Sequence, residues 1–354
     1  MLGIDQRAAR YAWTAALVVL ALFLVYLLRR TLFIFVVALL FAYLLSPLVN
    51  LLDRFLPGRT RTPALTLAYA IFVGAVVLLG QQIGSRVAKQ ASQFGKDFPA
   101  MLANWEKPAP KTTPEINSLK AQVVEKVRQQ IAESSNRILS AVAAAGFTLA
   151  GDLLYVVIVP ILAFFFLKDG KAMRDHILGL ADDGPRRALL DDLMADIHLL
   201  LAHYMRALVI LSLAAFSAYS LAFSLMGVPF AVLLAVVGGL LEFIPMLGPL
   251  TAGLLIVIVG AVSGANVPAI VIFLLAYRVF QDYILSPHLM GQGVELHPLL
   301  VLFGVFGGAE VAGIAGTFLS VPVLALARII YLRIRKSRLT ARLQPGPVTV
   351  ESVL

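Results

Sequence analysis

The chain has 354 residues, 60% of them apolar and 14% charged, with a formal net charge of +9 and no cysteine. A soluble domain carries about 25% charged and roughly 45–50% apolar residues, so the composition speaks against a water-soluble enzyme, a nucleic-acid binder and a secreted disulfide scaffold alike. Without cysteine, thiol catalysis, Cys-ligated zinc and disulfide stapling are excluded.

Taken in chain order, the apolar residues come in runs. Tyr11–Leu28 has no charge over 18 positions and Thr31–Leu52 none over 22. As helices they measure ~27 and ~33 Å, enough to cross a hydrocarbon core of ~30 Å. The first run follows Arg7 and Arg10 as a signal peptide would. It lacks a small-residue cleavage site and leads directly into the second run, which predicts a retained helix. A third span, Ala64–Ile83, completes a first region over residues 1–83.

Residues 84–140 are polar, with prolines at Pro99, Pro108, Pro110 and Pro114. Thr113-Pro114 reads as an N-cap followed by proline at the first helical position. Ile116, Leu119, Val123, Val127 and Ile131 then recur at helical spacing, which predicts a small extramembrane helical subdomain. Residues 141–226 hold a fourth span, Gly146–Leu167, and a fifth, Tyr204–Met226. The segment 171–203 between them has one apolar face (Leu189, Leu190, Leu193, Met194, Ile197, Leu200) and an acidic one (Asp191, Asp192, Asp196). It predicts an amphipathic helix lying on the membrane or packed against its own bundle.

Residues 227–330 break this pattern. Pro229–Phe243 and Leu250–Val262 are apolar but have only 15 and 13 residues, separated by Ile244-Pro-Met-Leu-Gly-Pro249. A full span, Val267–Leu285, follows, and then a second short pair, Leu299–Gly307 and Val311–Ala327. The pairs resemble each other: Pro229 precedes Gly238-Gly239 at the same offsets as Pro298 precedes Gly307-Gly308. An acid follows each, Glu242 and Glu310, offset by one position. With one span between them, the two hairpins would enter the membrane from opposite sides. Inverted hairpins are a transporter device, with solute held where broken helices meet. The tail, residues 331–354, carries Arg333, Arg335, Lys336, Arg338 and Arg342 and predicts cytoplasmic termini. The 84–140 segment would then be external, although it carries nine basic and five acidic residues; loops of about 60 residues translocate largely regardless of charge.

The expected fold class is therefore all-α, a polytopic membrane protein of about eight transmembrane segments that include short broken or re-entrant helix pairs. Pro245 and Pro249 lack amide hydrogens and Gly248 permits non-helical torsions, so carbonyls and amides are freed at membrane depth. Such backbone is tolerated beside a water-filled cavity or inside protein. The break is read either as a solute contact or as a turn that merely reverses the chain. Ionisable groups in or beside spans are functional candidates by default, here Asp152, Glu242, Arg278, Asp282, Glu295 and Glu310. Arg278 and Asp282 are four apart and can neutralise each other, with Gln281 extending the same polar face. Glu242 and Glu310 are the candidates for proton or cation coupling, against an inert interfacial carboxylate. His198 and His203, five apart, do not share a helix face, which speaks against a metal site. No cofactor is expected, and no G-x-x-x-x-G-K-[ST], H-E-x-x-H or G-x-S-x-G motif occurs, so no ATP-binding loop or hydrolytic nucleophile is visible.

Phe243-Ile-Pro-Met-Leu-Gly-Pro249 resembles the FIPxxGP signature of the AI-2E family, the autoinducer-2 exporter-like transporters. Ala42-Tyr-Leu-Leu-Ser-Pro-Leu-Val49 is similar to its AYLLxPLV pattern, and Pro160-Ile-Leu-Ala-Phe-Phe-Phe-Leu-Lys-Asp-Gly170 to its P…FFxLKDG element. Ser286-Pro-His-Leu-Met-Gly291 with Leu296-His297-Pro298 resembles the xPxxMGxxxxLHP stretch, and Gly304 through Gly308 to Gly316 and Val321-Pro322 its glycine-rich last segment. Five motifs in order cover roughly residues 30–330. The resemblance implies a multi-pass protein of the bacterial cytoplasmic membrane that exports a small polar solute driven by an ion or solute gradient. It also implies Na⁺(Li⁺)/H⁺ antiport as an alternative and a homo-oligomer such as a pentamer among membrane lipids. A non-transporting scaffold is the third reading; neither an enzyme nor a nucleic-acid binder is expected. Substrate or ion-pathway residues are then Glu242, Phe243, Pro245, Gly248, Pro249, Gln281, Asp282, His297, Pro298, Gly307, Gly308 and Glu310.

Overall fold

The computed structural model of the chain describes residues 6–56, 61–106, 122, 125–126, 149–181, 184–290 and 296–343. The helix expected at Thr113–Ile131 falls almost entirely outside those residues, as does Glu295. Among the described residues there is helix and no strand.

In chain order the elements are α1 (Gln6–Leu27), α2 (Arg29–Phe55), α3 (Thr62–Glu106), α4 (Leu149–Gly179) and α5 (Pro185–Leu225). They continue with α6 (Ala231–Leu241), α7 (Leu247–Val262), α8 (Val267–Phe280), a π-helical turn (Gln281–Leu285), α9 (Ser286–Met290) and α10 (Pro298–Leu343). Among the described residues six stretches are long and apolar enough to cross a membrane: Arg10–Leu27, Arg29–Phe55, Thr62–Trp105, Pro185–Leu225, Val267–Leu289 and Pro298–Lys336. The expected eight is not confirmed by this count. The start of the fourth expected span lies outside the described residues, α6 and α7 are too short to span, and the last two segments form one element.

Two compact units are present. In residues 1–65 with 141–170, the AYLL segment of α2 buries Ala42, Leu45 and Val49 at helical spacing. Phe35 meets Phe166 edge-on at 6.1 Å between ring centroids. Arg61, at the entrance to α3, hydrogen-bonds the Asn50 side chain and lies 3.4 Å from the Asp53 carboxylate, which ties the start of α3 to the end of α2.

The second unit, residues 66–140 with 171–354, carries the broken helices. Helix α3 does not end near Ile83; it runs on through Pro99 to Glu106. The extension has an apolar face of its own. Phe94, Phe98 and Leu102 join the core built on Phe223, Phe230, Leu234, Ile256 and Ile270, and Phe94 meets Phe230 edge-on at 5.3 Å. Gln90 accepts a hydrogen bond from the Leu233 amide at 2.9 Å, satisfying one of the orphan N–H groups that open α6.

The amphipathic segment 171–203 is shared between the end of α4 and the start of α5, and Leu200 of its apolar face is buried. Its second half is continuous with the fifth span in the 41-residue α5. Asp192 and Asp196, one turn apart, both accept from Arg333 of α10, at 2.7 and 2.6 Å.

Candidate functional site: a cavity bordered by two helical hairpins

Helices α6 and α7 form the first hairpin. Its reversal runs through Glu242–Met246, where Leu247 N donates to Pro245 O at 2.7 Å across Met246 at φ 63°, ψ −53°. That is a γ-turn of the strained, positive-φ kind. Gly248 then lies so close to Leu241 that a Cβ would sit 1.7 Å from the Leu241 carbonyl oxygen. The FIPMLGP sequence thus supplies a proline, Pro245, that stops one helix, a strained pivot, a glycine where the returning backbone touches the outgoing one, and a second proline, Pro249, in the first turn of α7. The hairpin is seated on α5: Ser212 Oγ donates to the Gly239 carbonyl at 2.7 Å, and Gly238 faces the Tyr219 ring with no room for a Cβ.

The second hairpin is contained in α10. Its break is at Ala312 (φ −142°) and Gly313 (φ 60°, ψ −141°), beyond the Gly308–Glu310 stretch where the sequence places it. Gly313 has a conformation that a side chain strains against, whereas Gly308 through Val311 stay helical. Gly308 instead makes the crossing of the two arms, where a Cβ would fall 2.3 Å from the Gly316 carbonyl oxygen. The hairpins meet where Phe243 lies 6.0 Å from Phe318 between ring centroids.

A cavity of about 750 Å³ is bordered by both hairpins, by α5 and by the α8–π segment. Glu242, Pro245, Met246 and Pro249 come from the tip of the first hairpin, while Val301, Val321, Pro322, Ala325 and Ile329 come from the arms of the second. The tip of one hairpin therefore lies against the middle and open end of the other, the relation that opposite directions of entry require. Leu200, Tyr204, Leu208 and Leu211 form the α5 wall.

At one end of this apolar chamber sits a buried polar pair. Gln281 Nε2 donates to Glu242 Oε2 at 2.7 Å, and the two residues are 3% and 6% exposed. Their other oxygens, Glu242 Oε1 and Gln281 Oε1, are buried without a hydrogen-bond partner, as are the hydroxyls of Tyr204 and Tyr277. Native proteins seldom leave buried polar groups unpaired, so these atoms are available to a bound water, ion or ligand. Gln281 is also the first residue of the π-helical turn, a local widening often found at functional sites. Arg278 and Asp282 pair at 2.8 Å on the same wall, and Asp196 and His203 line the opposite end. Among the described residues no cluster of three His, Asp or Glu side chains is arranged to hold a metal ion.

Of the residues singled out from sequence, Glu242, Pro245, Pro249, Gln281 and Asp282 line this chamber. Phe243 and Gly248 shape the first hairpin beside it, and Gly308 shapes the second. Gly307 has nothing within contact distance of a built Cβ. Glu310 and Pro298 are exposed and do not line the chamber, and His297 lines a separate groove. Sequence reasoning missed Tyr204, Met246 and Asp196. Tyr204 looked like the first residue of an ordinary span, and nothing local marks a methionine for a positive φ.

A sequence model described as "AI-2E family transporter" matches residues 15–336. Bacillus subtilis has two similar proteins. "Putative transport protein YueF" is 22% identical over 86% of this chain and 86% of its own length. "Putative transport protein YrrI" is 23% identical over 88% and 89%. "Putative permease PerM" of Escherichia coli is 25% identical over 83% of this chain and 84% of its own. With the family match spanning nearly the whole chain and several apolar helices of membrane-crossing length, the chain belongs to the AI-2E family of transporters and is a multi-pass membrane protein.

Proposed function

We propose that the chain exports a small polar metabolite, autoinducer-2-like, across the bacterial cytoplasmic membrane through the chamber between its hairpins. The observation that carries this reading is the Glu242–Gln281 pair, buried at the end of an otherwise apolar chamber with two acceptor oxygens left unpartnered. A solute bearing hydroxyl groups donates to such acceptors, while the apolar walls exclude competing water. The basic residues Arg333, Arg335 and Lys336 support a cytoplasmic side for the Asp196 end of the chamber. The solute then enters from the cytoplasm and meets the pair deepest in the protein. The driving force is an ion gradient or the solute's own gradient.

A second reading, Na⁺(Li⁺)/H⁺ antiport, is favoured by the same oxygens. Carboxylate, amide and phenolic oxygens suit a hard monovalent cation, and Glu242 is the C-cap of α6, where the helix dipole attracts positive charge. A homo-oligomer such as a pentamer in the lipid bilayer belongs to the same proposal and rests on the family resemblance.

The test is autoinducer-2 released by cells with and without the protein, paired with Na⁺-dependent collapse of a pH gradient in proteoliposomes. Glu242→Gln is expected to lower flux about tenfold, the scale of one hydrogen bond to a charged group. Glu310→Gln is expected to leave flux near the wild-type value. Equal flux from wild type and Glu242→Gln in both assays overturns the site. Ion-driven pH collapse without solute release replaces the first reading with the second.

A further inference from the structure

A second groove, of about 400 Å³, lies at the open end of the second hairpin and shares only Leu296 with the lining of the chamber. It is lined by Leu296, His297 and Leu300 from the start of the hairpin and by Leu324, Ala327, Arg328, Tyr331 and Leu332 from its long arm. Both arms change character at this level. Val311–Ala327 is uncharged over 17 residues and Arg328 is the first charge after it. On the other arm His297 precedes Pro298–Ala309, which is uncharged over 12. The groove is therefore at the edge of the apolar layer, with Tyr331 beside it, where tyrosine and basic side chains sit at membrane–water interfaces.

Arg328 is half-buried there and makes no hydrogen bond or ion pair with any described residue. Arg333, five residues on, behaves differently: it is held by Asp192 and Asp196. Among the described residues no acidic side chain lines the groove. The His297 ring is oriented, with Nδ1 accepting from the Leu299 amide at 3.3 Å. That bond leaves Nε2, the other ring nitrogen, as the donor.

We propose that this groove holds the headgroup phosphate of an anionic phospholipid. The Arg328 guanidinium bonds the phosphate oxygens in its fork geometry, His297 Nε2 donates a further hydrogen bond, and the acyl chains lie along Leu300, Leu324 and Leu332. Charge complementarity selects this occupant: a cation among leucines, at headgroup depth and paired with no described acid, calls for an anion that carries its own apolar portion. The inference is independent of the chamber and of what it transports.

The test uses the full-length protein, stripped of lipid in detergent and titrated with phosphatidylglycerol or phosphatidylcholine by native mass spectrometry. Phosphatidylglycerol is expected to bind in preference. Arg328→Gln should weaken it about fivefold, the worth of one basic residue near an anionic surface. Arg328→Lys should recover part of that loss. Arg335→Gln, which removes an exposed and screened charge from the same arm, should change it by less than about twofold. Equal binding of the two lipids, or equal losses from Arg328→Gln and Arg335→Gln, overturns the proposal. Inorganic phosphate that displaces phosphatidylglycerol over the same concentration range also overturns it, since a bare anion site needs no lipid. Should Arg328→Gln fail to fold, a photoactivatable phosphatidylglycerol on the wild-type protein decides. Cross-links in residues 296–300 and 324–332 support the site, and cross-links confined to other segments sink it.

Discussion

The two hairpins start from nearly the same sequence plan and end in different places. In each, a proline precedes a Gly-Gly pair at the same offset and an acid follows. Yet Glu242 is buried at the end of a chamber and hydrogen-bonded to Gln281, whereas Glu310 is exposed. The cause is one residue. Glu242 comes three positions after Gly239, and Glu310 comes two after Gly308. One position on a helix of 3.6 residues per turn rotates a side chain by about 100°, enough to take a carboxylate from an inner face to an outer one. The hairpins also use glycine differently. The first spends Gly238 and Gly239 on its fit to α5 and Gly248 on its own closure, while the second closes on the backbone crossing of Gly308 and Gly316.

The largest effect that would test this comparison comes from two adjacent residues of the second hairpin. A Cβ on Gly308 meets a backbone carbonyl at 2.3 Å, and backbone cannot swing aside as a side chain can; a Cβ on Gly307 meets nothing. Gly308→Ala is therefore expected to cost about 3 kcal/mol, seen as a large drop in melting temperature in detergent. Gly307→Ala should be neutral or stabilising by about 0.5–1 kcal/mol, the ordinary helical preference for alanine. Similar melting temperatures for the two variants would mean that the arms do not cross at Gly308.

Much of this arrangement is legible in the sequence because membrane helices obey strong one-dimensional rules. Run length gave α1, α2 and the second half of α5, and the proline pattern gave the first hairpin, since a proline removes a donor wherever it sits. Rotation and long-range pairing are not local properties. No short-range signal says that Gln281 meets Glu242, 39 residues away, or that Arg333 reaches back to Asp192 and Asp196 rather than facing water as part of a basic tail. The second break was displaced for a related reason: glycine marks both close helix crossings and positive φ, and Gly308 serves the first use while Gly313 serves the second. The apolar face of α3 beyond Ile83 was masked by the charged residues interleaved with Phe94, Phe98 and Leu102.

The next largest effect concerns the buried pair itself. Gln281→Leu keeps the bulk of the side chain and removes the donor to Glu242, leaving both carboxylate oxygens buried without a partner. A cost of about 1–2 kcal/mol is expected, measured by thermal unfolding. The double variant Glu242→Leu with Gln281→Leu should recover most of it, because two apolar groups of similar shape leave nothing unsatisfied. Additive losses would mean that the two side chains do not interact.

The smallest effect separates the two reversals. The second hairpin turns on Gly313 at φ 60°, but the first turns on Met246 at φ 63°, and a non-glycine residue held there stores of order 1–3 kcal/mol of strain. Alanine exceeds glycine by about 0.5–1 kcal/mol wherever the backbone is an ordinary helix. At Met246 the order should reverse: Met246→Gly is expected to be more stable than Met246→Ala by about 1 kcal/mol, since both lose the same contacts and glycine alone is released from strain. At Gly313 the same comparison, wild type against Gly313→Ala, should carry the same sign. Met246 borders the chamber, so the strain is stored where the first hairpin would have to move for solute to pass. If Met246→Gly is also the variant whose flux changes most per unit of stability gained, the pivot is part of transport. An alanine variant more stable than the glycine one would instead show Met246 in a relaxed turn and leave the two reversals alike.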